Sequence, residues 1–267
     1  MNVVVWVREI PDTRDLVGEV LGEGGEPRWD QWEGRFDPED LNALEMALQL
    51  KDRLGSCVVT AVSSVGQRRL DVLRECLYRG ADRVVRVLPP GDRPGVFVEA
   101  RLVALAIRRL HPVDLLLTGI QLNELENAQR GAMLARLLDW PLVSYVEAVE
   151  GVEGGRIRLR RAIEGGLQRV EAELPAVVSV GVALLRDDPR APRSAKAKLK
   201  LQHKKTEIPQ WTAQDLGISD EPIPSRSKAI GYRAVEQRSF PSRRVDGYNE
   251  VELERMVREL MEQGLVR

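Results

Sequence analysis

Between Gln121 and Arg130 the chain sets a polar stretch with side chains suited to ligand contact. Asn127 and Gln129 carry amides that can donate to and accept from a ligand's polar edge. Arg130 has the planar fork that pairs a phosphate through two N–H bonds. The residues before this stretch, Asp114-Leu115-Leu116-Leu117-Thr118-Gly119-Ile120, contain the apolar run of a strand buried on both faces. After it, Met133, Leu134, Leu137 and Leu138 recur at helical spacing. A helix opening at a polar loop turns its unpaired N–H groups and its positive dipole end toward that loop, a favourable place for an anion. In an open parallel sheet, ligands sit at the carboxyl ends of strands, where such loops lie. Glu124 and Glu126 repel phosphate unless they point outward or cap the helix. On residue chemistry alone the loop reads equally well as a ligand loop or as a solvated loop with Glu126 or Asn127 as the N-cap. Asp37-Pro38 and Ser63-Ser64-Val65-Gly66 follow two other strands, and each can line the same crevice or simply cap a helix. No G-x-G-x-x-G follows a strand and no Walker A lysine is present, which speaks against dehydrogenase and P-loop hydrolase chemistry.

The elements that must position these groups alternate. Val3–Val7 is an apolar strand. Asp37 caps a helix that has Pro38 at its first position and Leu41, Leu44, Ala47 and Leu48 on its inward stripe. Val58–Val62 is the next strand, and Leu70, Leu73 and Leu77 mark the helix after it. Gly80-Ala81-Asp82 leads into a strand at Val84–Leu88, followed by a helix from about Val98 to Leu110. The unit from Asp114 to Trp140 and a strand at Leu142–Val146 complete the series. Strands alternating with helices predict an α/β fold, a doubly wound parallel sheet with helices on both faces. From residue 147 the pattern changes to a β-hairpin addition spanning 147–174, with turns at Gly154-Gly155 and Gly165-Gly166. Pro175–Val180 then returns as an apolar strand. The expected organisation is an α/β nucleotide-binding domain at 1–185, an extended partner-binding arm at 186–245 and a C-terminal helix at 246–267. Asn249 and Glu252 form a capping-box-like start for that helix.

Composition removes several function classes. A net charge of -1 with 30% charged residues gives no global pull toward nucleic acid or an anionic membrane. No run reaches the ~18 apolar residues of a membrane span. Met1 leads straight into a strand, so no signal or transit peptide is expected and the expected location is cytoplasmic. Cys57 and Cys76 form no C-x-x-C pair and read as reduced packing residues. His111 and His203 are the two histidines and lack metal-ligand spacing, so neither a zinc site nor a Ser-His-Asp mechanism is expected. Arg193, Lys196, Lys198, Lys200, Lys204 and Lys205 occur without an intervening acid. They suit either a surface that speeds encounter with an acidic partner or a solvated arm, and charge alone favours the second. No aromatic residue interleaves with them from Asp187 to Gln210, which argues against RNA.

An ordered set of short motifs resembles the β-subunit of electron transfer flavoproteins over roughly residues 2–217. Val7-Arg8-Glu9-Ile10-Pro11-Asp12 is similar to that family's V-K-x-V-P-D opening. Asp37-Pro38-Glu39-Asp40-Leu41-Asn42-Ala43-Leu44-Glu45 resembles its N-P-x-D-x-x-A-L-E helix start, and Gly80-Ala81-Asp82-Arg83 fits G-A-D-R/E. Arg161-Ala162-Ile163-Glu164-Gly165-Gly166-Leu167 with Leu174-Pro175-Ala176-Val177-Val178 matches R-x-x-D/E-G-G-x…L-P-A-V-V. The resemblance implies an adenine-nucleotide α-hydrolase-like sheet and a heterodimer with an α-subunit that holds most of a redox-active FAD. It implies an electron carrier, not an enzyme, taking electrons from flavin dehydrogenases and passing them to an acceptor such as a quinone reductase. A second nucleotide, AMP in common carriers or another FAD in the electron-bifurcating branch, would touch Trp6, Asp37, Ser64, Asn123, Glu126, Asn127, Ala128, Gln129 and Arg130. Asp12 and Thr13 would face the shared FAD, and Arg190, Arg193, Lys196 and Lys198 would dock a partner. Neither nucleic acid nor membrane insertion is implied. The alternatives are the bifurcating type and a stand-alone adenine-nucleotide-binding protein. Two departures stand out: Trp6 occupies a position where a small residue usually faces the adenine, and Arg130 is foreign to the family's loop.

Overall fold

The computed structural model describes residues 1–14, 20–23, 25–28, 32–64, 71–89, 95–121, 128–181, 191–218, 231, 244–245 and 247–266. Its strands are β1 (Asn2–Trp6), β2 (Glu9–Pro11), β3 (Gly34–Phe36), β4 (Val58–Ser63), β5 (Arg83–Val87), β6 (Leu115–Gly119), β7 (Leu142–Glu153), β8 (Arg156–Ile163), β9 (Gly166–Glu173), β10 (Ala176–Val180) and β11 (Gln210–Trp211). Its helices are α1 (Pro38–Leu54), α2 (Val72–Arg79), α3 (Val96–Leu110), α4 (Arg130–Leu138), α5 (Ala197–His203) and α6 (Glu250–Glu262). Among the described residues the main sheet runs β11-β5-β4-β1-β6-β10-β7-β8-β9. Pairing is parallel from β11 through to β7 and antiparallel across β7, β8 and β9. The doubly wound α/β fold expected from the alternation is present.

The period of two in β1 shows why the run is apolar throughout. Val3 and Val5 face α1 and α2 together with Leu115, Leu117, Leu44, Leu48 and Leu73. Val4 and Trp6 face the opposite layer, with Leu102, Ile107 and Leu134 from α3 and α4. Helices cover both faces, so no alternation with polar residues is needed. Asp37 caps α1 by accepting from the Glu39 N–H at 3.0 Å. Gly55, at φ 68, closes the other end of α1 in the left-handed region that glycine adopts without strain. Cys57 and Cys76 are free and buried in the core, and burial pushes both thiols up.

Two features differ from the sequence expectation. The strand at Leu142 does not stop at Val146; it continues to Glu153, so one strand serves both the parallel sheet and the hairpin. A register shift between Val146 and Ala148 and a φ of 60° at Tyr145 bend it there, as a β-bulge does. The second hairpin turn also lies one residue earlier than expected, at Glu164-Gly165, with Gly166 already in β9.

The described part of the arm, 191–218, is laid over its own domain. The helix α5 packs on α2, and β11 adds to the sheet edge through Arg86 N–H to Pro209 O and Leu88 N–H to Trp211 O, both 2.8 Å. Trp211, Ala213, Leu216 and Ile218 pack on the α3 layer from a two-residue strand and a 3-10 turn, elements too short to show a period in sequence. The α6 helix starts where expected, with the Asn249 side chain accepting from Glu252 N–H at 3.3 Å. It buries none of its residues in the chain.

Candidate functional site

The carboxyl ends of β1, β4 and β6 meet the first turn of α1 and the start of α4, and a compact polar network fills this junction. The indole of Trp6, at the end of β1, is fully buried, and its Nε1–H donates to Ser64 Oγ at 3.1 Å. The Ser64 hydroxyl in turn donates to Glu99 Oε2 of α3 at 3.3 Å, and Glu99 lies 3.7 Å from the Arg8 guanidinium. Arg130, the first residue of α4, turns inward with 0% exposure and lies 4.1 Å above the Trp6 ring. Such a guanidinium–indole contact is favourable, the more so when both groups are shielded from water.

Asp40 on α1 provides the countercharge. One guanidinium nitrogen of Arg130 donates to both Asp40 oxygens, at 2.7 and 3.0 Å, and the other donates to the Trp6 carbonyl at 3.2 Å. Asp40 Oδ1 also accepts from Gly119 N–H at 2.9 Å. Burial pushes the Asp40 carboxyl up from its ordinary range, and Arg130 and the Gly119 N–H pull it back. Glu39 accepts from Gln121 N–H at 2.6 Å, and burial raises its carboxyl too. Only glycine fits at 119, because a Cβ there would sit 2.6 Å from Glu39 Cβ and 2.9 Å from Asp40 Oδ1. The end of β6 and the start of α1 are therefore pressed together by design of the sequence at both places.

The structure brings together Trp6, Asp37, Ser64 and Arg130 of the residues expected to touch a nucleotide, with Asp37 occupied in capping α1. Ala128 and Gln129 are exposed just before α4, Ala128 in the left-handed region at φ 45, a conformation that costs a non-glycine residue energy. Asn123, Glu126 and Asn127 lie outside the described residues. The Arg130 fork, expected to offer itself to a phosphate, is here taken by Asp40 and the Trp6 carbonyl. Asp40, Glu99 and Gly119 were not singled out as site residues. Glu99 was detectable, since it falls on the inward face of α3 between Val98 and Leu102. Asp40 followed only from asking which carboxylate a buried arginine would need. Four carboxylates (Asp37, Glu39, Asp40, Glu99) and two guanidiniums (Arg8, Arg130) gather here, and no free cation among them is left for a phosphate. As arranged, the described residues at this junction do not fit an adenine nucleotide.

The residues expected to approach a shared flavin lie elsewhere, at the end of β2. Thr13 is exposed, and Asp12 accepts from the Arg14 guanidinium at 2.8 and 2.5 Å. That bonding holds the Asp12 carboxyl down at about 2. A carboxyl lowered on folding adds stability above its unfolded value near ~4, and the contribution is lost as pH falls through about 2. An NMR pH series is expected to find Asp12 titrating near 2, and Arg14→Ala to return it toward the ordinary range; an unchanged midpoint in the variant would contradict this.

Of the residues expected to dock a partner, Arg190 lies outside the described residues, and Lys196 and Lys198 are exposed. Arg193 faces α1. Its guanidinium pairs with both Glu45 oxygens at 2.9 Å and with Asp52 at 2.9 Å, so it fastens the arm to α1 instead of facing outward. The Arg79 guanidinium donates to the Arg193 carbonyl, and Lys196 N–H donates to Tyr78 O at 2.8 Å. Arg193→Ala is expected to cost about 1.5–3 kcal/mol, the range for a charge-assisted bond. Hydrogen exchange should localise the loss to 191–205, and unchanged protection there would refute the anchoring role.

Among the described residues no cluster of three His, Cys, Asp or Glu suits a metal ion, and no helix is long and apolar enough to cross a membrane. The electron transfer flavoprotein domain model matches residues 30–216. The chain is 31% identical over 227 residues to the electron transfer flavoprotein subunit beta of Thermoanaerobacterium thermosaccharolyticum, covering 82% of this chain and 81% of that protein. It is 32% identical over 200 residues to the human electron transfer flavoprotein subunit beta, 74% of each chain. It is 28% identical over 230 residues to the caffeyl-CoA reductase-Etf complex subunit CarD of Acetobacterium woodii, covering 83% of this chain and 82% of that protein. With the family's domain covering β3 to β11 and the described part of the arm up to residue 216, and with β-subunits matched over about four-fifths of the chain, the chain belongs to the electron transfer flavoprotein β-subunit family.

Proposed function

We propose that this chain pairs with an electron transfer flavoprotein α-subunit, helps to hold a FAD shared with it, and serves as a carrier subunit without bond-breaking chemistry of its own. Electrons would arrive from a flavin dehydrogenase and leave to a downstream acceptor such as a quinone reductase. The observation that carries this reading is the match to β-subunits over about four-fifths of their length. When bound, the FAD supplies the redox chemistry. This chain's part is positional: Thr13 offers an exposed hydroxyl at the end of β2, and Arg14 keeps Asp12 ionised beside it. Those groups suit the polar edge of a flavin held mainly by the partner.

The electron-bifurcating alternative needs a second FAD in this chain's own crevice, and the stand-alone module needs an adenine nucleotide there. The buried Trp6–Arg130 pair disfavours both. Co-expression with an α-subunit from the same organism tests the main reading. A yellow heterodimer with one FAD per pair is expected. A colourless monomer that associates with none of that organism's α-subunits would overturn it.

A further inference from the structure

The geometry points to a β-subunit whose own nucleotide crevice is closed by its side chains: the indole of Trp6 and the guanidinium of Arg130 occupy the strand-end site, and no adenine nucleotide binds there. Three observations carry this. The first is steric. Both side chains are fully buried where the ends of β1, β4 and β6 meet α1 and α4, with the guanidinium 4.1 Å from the indole ring. A flat aromatic base entering at this point would have to displace another flat aromatic system that is already packed.

The second is electrostatic. The cation nearest the start of α4 is consumed by Asp40 at 2.7 Å, and Asp37, Glu39 and Glu99 add negative charge around it, balanced only in part by Arg8. Phosphate would enter a site where carboxylates outnumber guanidiniums. Moving Arg130 out to meet it would leave Asp40 buried without its countercharge, which is strongly unfavourable. The third is that the network is bonded internally. Trp6 donates to Ser64, Ser64 to Glu99, Arg130 to Asp40 and to the Trp6 carbonyl, and Gly119 N–H to Asp40. The Trp6, Ser64, Arg130 and Asp40 groups joined this way would have to give up these bonds to a nucleotide, and a ligand replaces such bonds at a loss unless it makes equivalent ones.

Binding in the unaltered chain therefore requires prior opening of the crevice, and apparent affinity falls in proportion to the open fraction. Removing the indole removes most of that requirement. For cofactor stoichiometry this inference rests on the heterodimer reading; for nucleotide binding by the isolated chain it does not.

The test has two arms. The purified full-length chain is titrated calorimetrically with AMP and, separately, with FAD, and nucleotides released on denaturing the heterodimer are identified by mass. We expect no AMP binding by the chain, and one FAD with no AMP from the heterodimer. Folded Trp6→Ala is expected to bind AMP at least about 100-fold more tightly than the unaltered chain. Stoichiometric AMP or a second FAD from the unaltered protein would overturn the inference, whatever the variant does. A folded Trp6→Ala chain with no gain in AMP affinity would overturn the role given to the indole. Failure to find any α-subunit partner defeats the heterodimer reading but leaves the titration of the isolated chain decisive.

Discussion

Arg130→Met is expected to lower the stability of the folded chain by about 3–5 kcal/mol, the range for removing one partner of a buried ion pair. Methionine restores most of the volume and can still lie on the Trp6 ring, so the loss is electrostatic more than steric. Asp40 keeps its bond from Gly119 N–H at 2.9 Å but loses both bonds from the guanidinium. Its carboxyl, already pushed up by burial, then rises further. The sign of the pH effect follows. In the variant the folded state holds the Asp40 proton more tightly than the unfolded state, so stability falls as pH rises through the carboxylate range. The deficit relative to the unaltered chain should thus be smallest in acid and grow toward neutrality. Adding Asp40→Asn should recover most of the loss, since the amide oxygen still accepts from Gly119 and no buried charge remains at position 40. Urea unfolding at several pH values would measure all three chains. A single-variant loss below about 1 kcal/mol at neutral pH would mean that the pair is not the buried couple described here.

Trp6→Ala carries a cost of similar size, about 3–5 kcal/mol, for a different reason. The indole is fully buried in the α3–α4 layer, and its removal leaves a cavity between β1 and α4 and strips Arg130 of its ring contact. The polar part of the loss is smaller, because Ser64 retains its bond to Glu99 Oε2 at 3.3 Å. Trp6→Phe should therefore cost distinctly less than Trp6→Ala, since a ring still packs under the guanidinium and only the N–H bond to Ser64 disappears. Thermal unfolding followed by circular dichroism would order the two. Equal losses in Ala and Phe would show that the hydrogen bond, not the packing, dominates. High AMP concentration should raise the stability of Trp6→Ala selectively, because a ligand stabilises only the state it binds.

Much of the architecture was legible before any coordinates. The apolar runs at Val3, Val58, Leu115 and Ala176 are local facts, and the stripe of α1 and its Asp37 cap are nearly so. Hydrophobic period and cap chemistry act over a few residues, so a linear reading captures them. The hairpins were legible because Gly154 and Gly155, at φ 57 and 75, need the conformations that glycine permits. The bend at Tyr145 was not, since a bulge in a bulky residue leaves no compositional mark. How the arm is fastened is not legible for a related reason. Basic residues without an apolar period look solvated, yet Arg193 is held by Glu45, a residue 148 positions away.

The candidate site divides in the same way. Asp37, Ser64 and Arg130 are marked by their positions at strand and helix ends and Trp6 by the family resemblance, and those ends do meet. Whether they meet around a ligand or around one another depends on where the Arg130 side chain points. That direction is set by Asp40, 90 residues away, and by the Trp6 carbonyl, 124 residues away.

The amino-acid order alone thus determined the α/β sheet, its hairpin extension and the family, because periodicity, turns and short motifs are written in neighbouring residues. Tertiary structure alone decided that the crevice is filled and the arm is fastened. Both outcomes are settled by charge pairs between distant segments, and burial makes such pairs strong only after the sheet has brought them into contact.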